Sequence, residues 1–289
     1  MKQQPLTPTH AAFNQRVADA EDRTAKYVIP LYATDEDGQR YCLGSAVLLQ
    51  INKTRFLLSA AHVFDENKNP NHATNIEIIG NTHLVPISGS VIKSPLPPSG
   101  KRTDDHFDIV VIPLTNDLAA ELERFTFLDS TQVDPSDKPY KQSLYTFTGY
   151  PSTKQKLVKA GTLTIEAVRY TGMPLHPEQY PTGFALGPHT GIDYSKKQMI
   201  ARTGKVQSPP DPHGVSGGAI FRLGTFEEIA NGTSTETLVG IAIEDHKTSL
   251  IGTNITYALE MIRAHYPELE DHLPRSEYFK IDATKGEPA

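Results

Sequence analysis

The stretch Ser208-Pro-Pro-Asp-Pro-His-Gly-Val-Ser-Gly-Gly-Ala-Ile-Phe221 sets one serine, Ser216, among Gly214, Gly217 and Gly218 and follows it with an apolar run. Glycines there allow a tight turn that aims backbone N–H groups at a substrate oxygen. A serine hydroxyl is a poor nucleophile unless a base lies within hydrogen-bond reach and a third group orients that base. The same five residues, Gly214 to Gly218, also satisfy the Gly-X-Ser-X-Gly elbow of α/β-hydrolases, which requires a strand before the serine and a helix after it. Pro209, Pro210 and Pro212 rule out a central strand, and Gly217-Gly218 is a poor helix start.

Outward from this turn the chain reads as short apolar or alternating runs: 27–32, 42–50, 56–60, 76–79, 91–92 and 109–114. Turn residues such as Asp35-Glu-Asp-Gly38 and Asn52-Lys53 punctuate them. A second set follows at 143–148, 156–170, 197–206, 219–223, 238–243 and 250–256. The texture is all-β, two β units of similar size. Thr7 and Pro8 suggest the start of a short amphipathic helix carrying Phe13, Val17 and Ala20, and Leu259 and Ile262 mark a helix over 258–266. The expected organisation is an N-terminal helical segment (1–26), a first barrel (27–114), a connector (115–142), a second barrel (143–257), and a C-terminal helix and tail (258–289). A Gly/Pro/His-rich stretch over 171–196 has no clear period and is longer than most connections; it is read as a loop bordering the cleft or as a passive excursion.

Two further segments supply the missing groups. Phe56-Leu-Leu-Ser-Ala-Ala-His-Val-Phe64 ends an apolar run with small residues and then places His62, and Asp105-His-Phe-Asp-Ile-Val-Val-Ile-Pro-Leu114 places Asp108 immediately before another. Asp104 and Asp105 compete as the orienting carboxylate, but only Asp108 adjoins the apolar run. In the order His62, Asp108, Gly214-Val-Ser-Gly-Gly218, the chain resembles the chymotrypsin/trypsin-like serine peptidases. The resemblance spans roughly 27–266 and implies two six-stranded β-barrels with the site between them. It further implies Ser216 as nucleophile, His62 as base, Asp108 as its orienter, and the N–H groups of Gly214 and Ser216 as an oxyanion site.

Some positions depart from that pattern. Val63 stands where secreted relatives carry a half-cystine, and Cys42, in the neighbourhood of the other half, is the only cysteine. Val215 replaces the Asp that pairs with a liberated N-terminus in pancreatic-type relatives, so processing of that kind is not expected. Thr148-Gly-Tyr-Pro151 and Val239-Gly-Ile241 are similar to the bacterial glutamyl-endopeptidase-like and HtrA-like branches. By resemblance, Asp211 and His213 ahead of the serine, and Ala242, Glu244 and Asp245 beyond it, line the pocket for the side chain preceding the cut. Ala242 stands where glutamyl-specific relatives carry His, and Pro210 where trypsin-like relatives place their pocket Asp. The acids Asp211, Glu244 and Asp245 favour a basic residue there, with a small or apolar one as the alternative.

The bulk composition bounds the function classes. With 28 Lys plus Arg against 34 Asp plus Glu in 289 residues, and no long basic run, the electrostatic footprint of a nucleic-acid binder is missing. No apolar stretch approaches the roughly 18 residues of a membrane span, and the chain reads as cytoplasmic. His-Glu-X-X-His is missing, and the Asp65-Glu-Asn-Lys-Asn69 stretch has Pro70 where a calcium loop needs Gly, so no metal or cofactor is expected. Cys42 is read as a small buried residue. The expected partner is a polypeptide substrate, with an activating partner conceivable. The expected activity is that of a serine endopeptidase acting through an acyl-enzyme; the alternative is a catalytically silent or partner-activated module that binds peptide on the same fold.

Overall fold

In the computed structural model the described residues are 8–35, 37–65, 76–81, 83–136, 142–152, 155–158, 162–194, 199–200, 206–207, 214–246, 248–276, 281–282 and 287–288. The first sheet contains β1 (Val28–Thr34), β2 (Arg40–Ile51), β3 (Thr54–Ala60), β4 (Glu77–Ile79), β5 (Leu84–Pro86), β6 (Ile92–Lys93) and β7 (Ile109–Pro113) in the order β5-β4-β1-β2-β3-β7-β6. A short β8 (Leu128–Asp129) joins β2 in parallel. The second sheet is six-stranded and curls separately: β9 (Ser143–Gly149), β12 (Val168–Gly172), β13 (His189–Asp193), β16 (Ala219–Thr225), β17 (Thr237–Asp245) and β18 (Ser249–Asn254), in the order β12-β9-β16-β17-β18-β13. Two small hairpins lie outside it, β10 (Gln155–Val158) with β11 (Thr162–Ile165) and β14 (Met199–Ile200) with β15 (Val206–Gln207).

The continuous apolar runs reflect strands buried on both faces, because successive side chains point to opposite sides. On β7, Val110 and Ile112 enter a core inside the first sheet with Leu48, Leu57 and Ile78, while Ile109 and Val111 turn outward. The outward set meets Val47, Leu49 and Leu58 from the same sheet, and Phe221, Leu223, Leu238 and Ile241 from the second, in one shared core. Phe147, Ile192, Ile220, Val239 and Leu250 fill the interior of the second sheet. The two sheets are therefore joined by packed apolar side chains, and the functional candidates sit at the ends of strands that cross this junction.

The chain ends pack against this body. α1 spans Pro8–Ala25, and Thr7 lies outside the described residues. It lies on the second sheet: Phe13 stacks on Phe226 at 6.0 Å, Arg23 pairs with Glu236 at 2.6 Å, and Thr171 donates to Glu21 at 2.6 Å. α2 (Asn116–Glu121) is capped by Thr115, whose hydroxyl accepts from the Leu118 N–H. α4 (Ile255–His265) starts three residues earlier than the hydrophobic pattern suggests, because the Asn254 side chain accepts the Thr256 N–H at the end of β18 and turns strand directly into helix. No helix among the described residues is long and apolar enough to cross a membrane.

Several elements differ from the sequence reading. The first sheet has eight strands, not six, with β5 and β8 added, and the runs at 156–170 and 197–206 are not single strands but belong to β10, β11 and β12 and to the β14–β15 hairpin. The 171–196 stretch is not a bare loop: Pro174 bridges Ile192, Pro177–Gln179 forms a 3₁₀ turn, and β13 completes the second sheet. A polar strand, His189-Thr-Gly-Ile-Asp193, hid the pairing. α3 (Phe226–Asn231), absent from the sequence reading, carries a capping box between Thr225 and Glu228 and closes on Gly232 at φ +71°.

Candidate active site

The register Ala60↔Ile109 aligns the end of β3 with the start of β7, so the residues just beyond these ends, His62 and Asp108, face each other. His62 opens a 3₁₀ turn, His62–Phe64. Its backbone N–H donates to Asp108 Oδ1 at 2.7 Å, and its ring Nδ1 meets Asp108 Oδ2. The Asp108 backbone is drawn in as well, its carbonyl accepting the Ala61 N–H at 2.9 Å. Asp108 has φ +39°, a conformation that is sparsely populated by residues other than glycine and clusters at functional sites. Burial pushes its carboxyl up from the ordinary range, while the hydrogen bonds and charge of His62 oppose this.

Both flanks of this pair are tied down by an ionic network. Arg102 Nε bonds Asp65 Oδ2 at 2.6 Å and its terminal nitrogen meets Asp105, while Lys93 also meets Asp65. Asp65 lies three residues after His62 and Asp105 three before Asp108, so one guanidinium spans the two segments. Burial disfavours the charged form of Asp65, but Lys93 and Arg102 hold its carboxyl below the usual range. Asp105 accepts from Ser94 Oγ at 2.6 Å and from the Phe107 N–H at 3.0 Å, so this competing carboxylate is committed to its own loop. Asp104 lies in the neighbouring 3₁₀ turn, Arg102–Asp104, and accepts from Thr103 Oγ1 at 3.4 Å.

Ser216 comes from the other sheet, on the turn entering β16. Its carbonyl accepts the Ser45 N–H from β2 at 2.8 Å, and the next amide, Gly217 N–H, donates to Ala242 on β17 at 2.8 Å. The turn is thereby stitched to both sheets. Gly217 is required there: at φ +83°, a Cβ would stand 2.1 Å from both the Ser45 carbonyl and Ser59 Oγ. Gly214 has φ +89°, a left-handed conformation that turns the backbone ahead of the serine. Ser216 Oγ donates to the Ile243 carbonyl at 3.5 Å. The serine and histidine turns converge on Gly44, where a Cβ would be 2.9 Å from Val63 Cγ1 and 3.2 Å from the Ser216 carbonyl.

The strand facing Val63 is thus represented by Gly44, not by Cys42 two residues earlier. Cys42 is buried, its thiol donates to the Tyr150 carbonyl at 3.4 Å, and burial pushes it up to about 12, which makes a thiolate inaccessible near neutrality. Val215 is buried in the second sheet's core. Of the pocket candidates, Asp211 and His213 lie outside the described residues, as does the side chain of Asp245. Ala242 is buried and exchanges backbone hydrogen bonds with the serine turn, and Glu244 is exposed, 3.4 Å from His246 Nε2. The sequence reading missed Arg102, Lys93 and Ser45, which act through chain-distant partners and carry no local motif.

The architecture is the two-sheet, double-barrel fold of chymotrypsin-like proteins. Among solved structures, the chain is similar to the scabies mite inactivated protease paralogue S-I1, with TM-score 0.51 and 14% identity over 85% of this chain and 96% of that one. The structure of GrC aligns at TM-score 0.47 and 11% identity, over 86% and 95%. No protein-family model and no curated protein matches the chain. At these identities the likeness is one of fold.

Proposed function

We propose that the chain is a serine endopeptidase that cleaves polypeptides through an acyl-enzyme. The observation that carries this reading is the His62–Asp108 pair, joined through both ring and backbone beside a glycine turn that presents Ser216 from the opposite sheet. Asp108 fixes the imidazole with Nδ1–H toward it, leaving Nε2 to take the Ser216 proton as the hydroxyl attacks the scissile carbonyl. The N–H groups of Gly214 and Ser216 stabilise the tetrahedral oxyanion, and His62 then returns the proton to the leaving amine. Water repeats the sequence on the ester. No metal or organic cofactor enters these steps.

Within the fold we place the chain nearest the bacterial glutamyl-endopeptidase-like and HtrA-like branches, on Thr148-Gly-Tyr-Pro151 and Val239-Gly-Ile241. The single buried Cys42 supports a reducing, cytoplasmic setting. Val215 gives a liberated N-terminal amine no carboxylate to pair with, so the site is set by the folded chain or by a partner. The exposed Glu244, with Asp211 and Asp245, supports a basic residue before the cut.

A second reading, a peptide-binding module without turnover, is favoured by one comparison: the scabies mite protein on this fold is named an inactivated protease paralogue. A fluorophosphonate probe separates the two. Labelling of the wild-type chain that disappears in Ser216→Ala supports the peptidase; peptide binding without labelling supports the module.

A further inference from the structure

The two residues that lead into Asp108 are gripped from the second sheet. His189 Nε2 donates to the His106 carbonyl at 2.9 Å, and Thr253 Oγ1 donates to the Phe107 carbonyl. His189 and Thr253 stand directly opposite each other in the β13–β18 pairing, so one cross-strand pair holds two consecutive carbonyls of the other sheet. Thr253 is also paired to Ile241 on β17, two residues from Ile243, whose carbonyl takes the Ser216 hydroxyl. A single run of sheet therefore connects the serine's surroundings to the approach of Asp108.

The 171–196 segment reaches the same pair. Ala185 N–H donates to His189 Nδ1 at 3.2 Å, which leaves the ring hydrogen on Nε2, where the His106 carbonyl needs it. Phe184 packs edge-on against His189 at 4.9 Å and against His106 at 5.1 Å. Phe107 lies parallel to the His189 ring at 5.8 Å and contacts Tyr257 at 4.2 Å. A histidine only 4% exposed is costly unless its ring nitrogens are bonded, and both bonds here go outside its own strand. Burial pushes its imidazole down to about 4, with Asp105 and His106 the ionisable neighbours acting on it, so it stays neutral across the range where a histidine base works.

We propose that His189 and Thr253 are positioning residues that clamp the 106–107 backbone, hold Asp108 in its left-handed conformation, and so orient His62, with Ala185 setting the tautomer of the clamp. This rests on the peptidase reading for its consequence, but not for its geometry. Without the clamp, residues 106–108 relax toward more populated torsions, and the carboxylate drifts from the imidazole while the remainder of both sheets is retained.

The test compares Thr253→Val, which keeps shape and removes the hydroxyl, with Thr253→Ser, and His189→Leu with His189→Gln. On a peptide substrate, Thr253→Val is expected to lower kcat about tenfold with KM within about twofold, while Thr253→Ser recovers most of the loss. The acidic limb of kcat/KM and the NMR titration midpoint of the His62 ring are both expected to move to lower pH, since a displaced carboxylate stabilises the imidazolium less. The NMR midpoint needs no turnover and is the deciding measurement. A shifted midpoint in a chain that fluorophosphonate does not label keeps the clamp and sinks the peptidase reading. Labelling with an unmoved midpoint and unchanged kcat in folded Thr253→Val overturns the clamp alone. Should His189→Leu fail to fold, Thr253→Val still decides.

Discussion

Asp108 shows how much of the site is decided one residue at a time. Its φ of +39° costs on the order of 1–3 kcal/mol, and the Ala61 and His62 amides that bond to it offset that cost while aiming the carboxylate. Ser216 is placed by its neighbours in the same way, through Ser45 and Ala242. On the proposed mechanism, Ser216→Ala or His62→Ala lowers peptide hydrolysis by about 10⁴–10⁶, because nucleophile and base act as a unit; initial rates on purified, folded variants check this, and near-wild-type turnover in Ser216→Ala would falsify the mechanism. A separate expectation concerns stability. Gly217→Ala combines φ +83° with a Cβ 2.1 Å from the Ser45 carbonyl, so the turn must move, at a cost of about 3 kcal/mol or more. Urea unfolding reads this directly, and a midpoint within error of wild type would show that the turn is not bound to both sheets.

At the scale of elements, legibility followed burial. Strands β2, β3 and β7 each hold a short apolar run buried on both faces, at 46–49, 56–58 and 109–112, so their positions could be read without the structure. The candidate site was legible for a related reason: His62, Asp108 and Ser216 each stand beside a strand end in a short local motif, although their roles remain proposed. β13 was not legible, because one of its five residues, Ile192, is the only large apolar side chain it buries. Contacts such as Thr253 to Phe107, 146 positions apart, leave no trace in a local window. The 171–196 segment shows what this hides. Leu175 enters the first sheet's core, with Tyr180 and Phe184 packed beside it, and Tyr180 Oη also bonds Gly191 at 3.1 Å. The segment is thus a bridge from the second sheet back to the first. Replacing residues 176–185 by a short Gly/Ser linker is expected to lower turnover about tenfold or more and to alter the cleavage profile on a peptide library. A folded variant with the wild-type rate and profile would make the segment a passive excursion.

Across the whole molecule, the junction between the sheets is apolar at its centre and holds a neutral histidine near its edge, which makes stability depend on pH in a definite direction. Burial pushes the His189 imidazole down to about 4 in the folded chain, against about 6.5 for a histidine in the unfolded one. Above pH 6.5 neither state binds the proton and the full stability is present. As pH falls from 6.5 toward 4 the unfolded chain takes up a proton that the folded ring refuses, so stability declines, by about 2 kcal/mol at pH 5 and about 3 kcal/mol at most. Asp65, held below the carboxylate range, adds loss in the same direction at lower pH, whereas Asp108, raised by burial, works the other way because its folded form accepts a proton more readily than the unfolded one. Between pH 6.5 and 5 the difference between wild type and His189→Gln isolates this histidine, since every other titrating group is common to both. Melting temperature at constant ionic strength is therefore expected to fall across that interval, and to fall less steeply in His189→Gln, whatever the variant's absolute stability at pH 7. Protonation of the wild-type ring would let Nδ1 donate to the Ala185 carbonyl, 3.2 Å away, but would strand the Ala185 N–H that Nδ1 now accepts. An identical slope in wild type and His189→Gln would mean that the buried ring does not resist protonation, and that the junction yields before the histidine is charged.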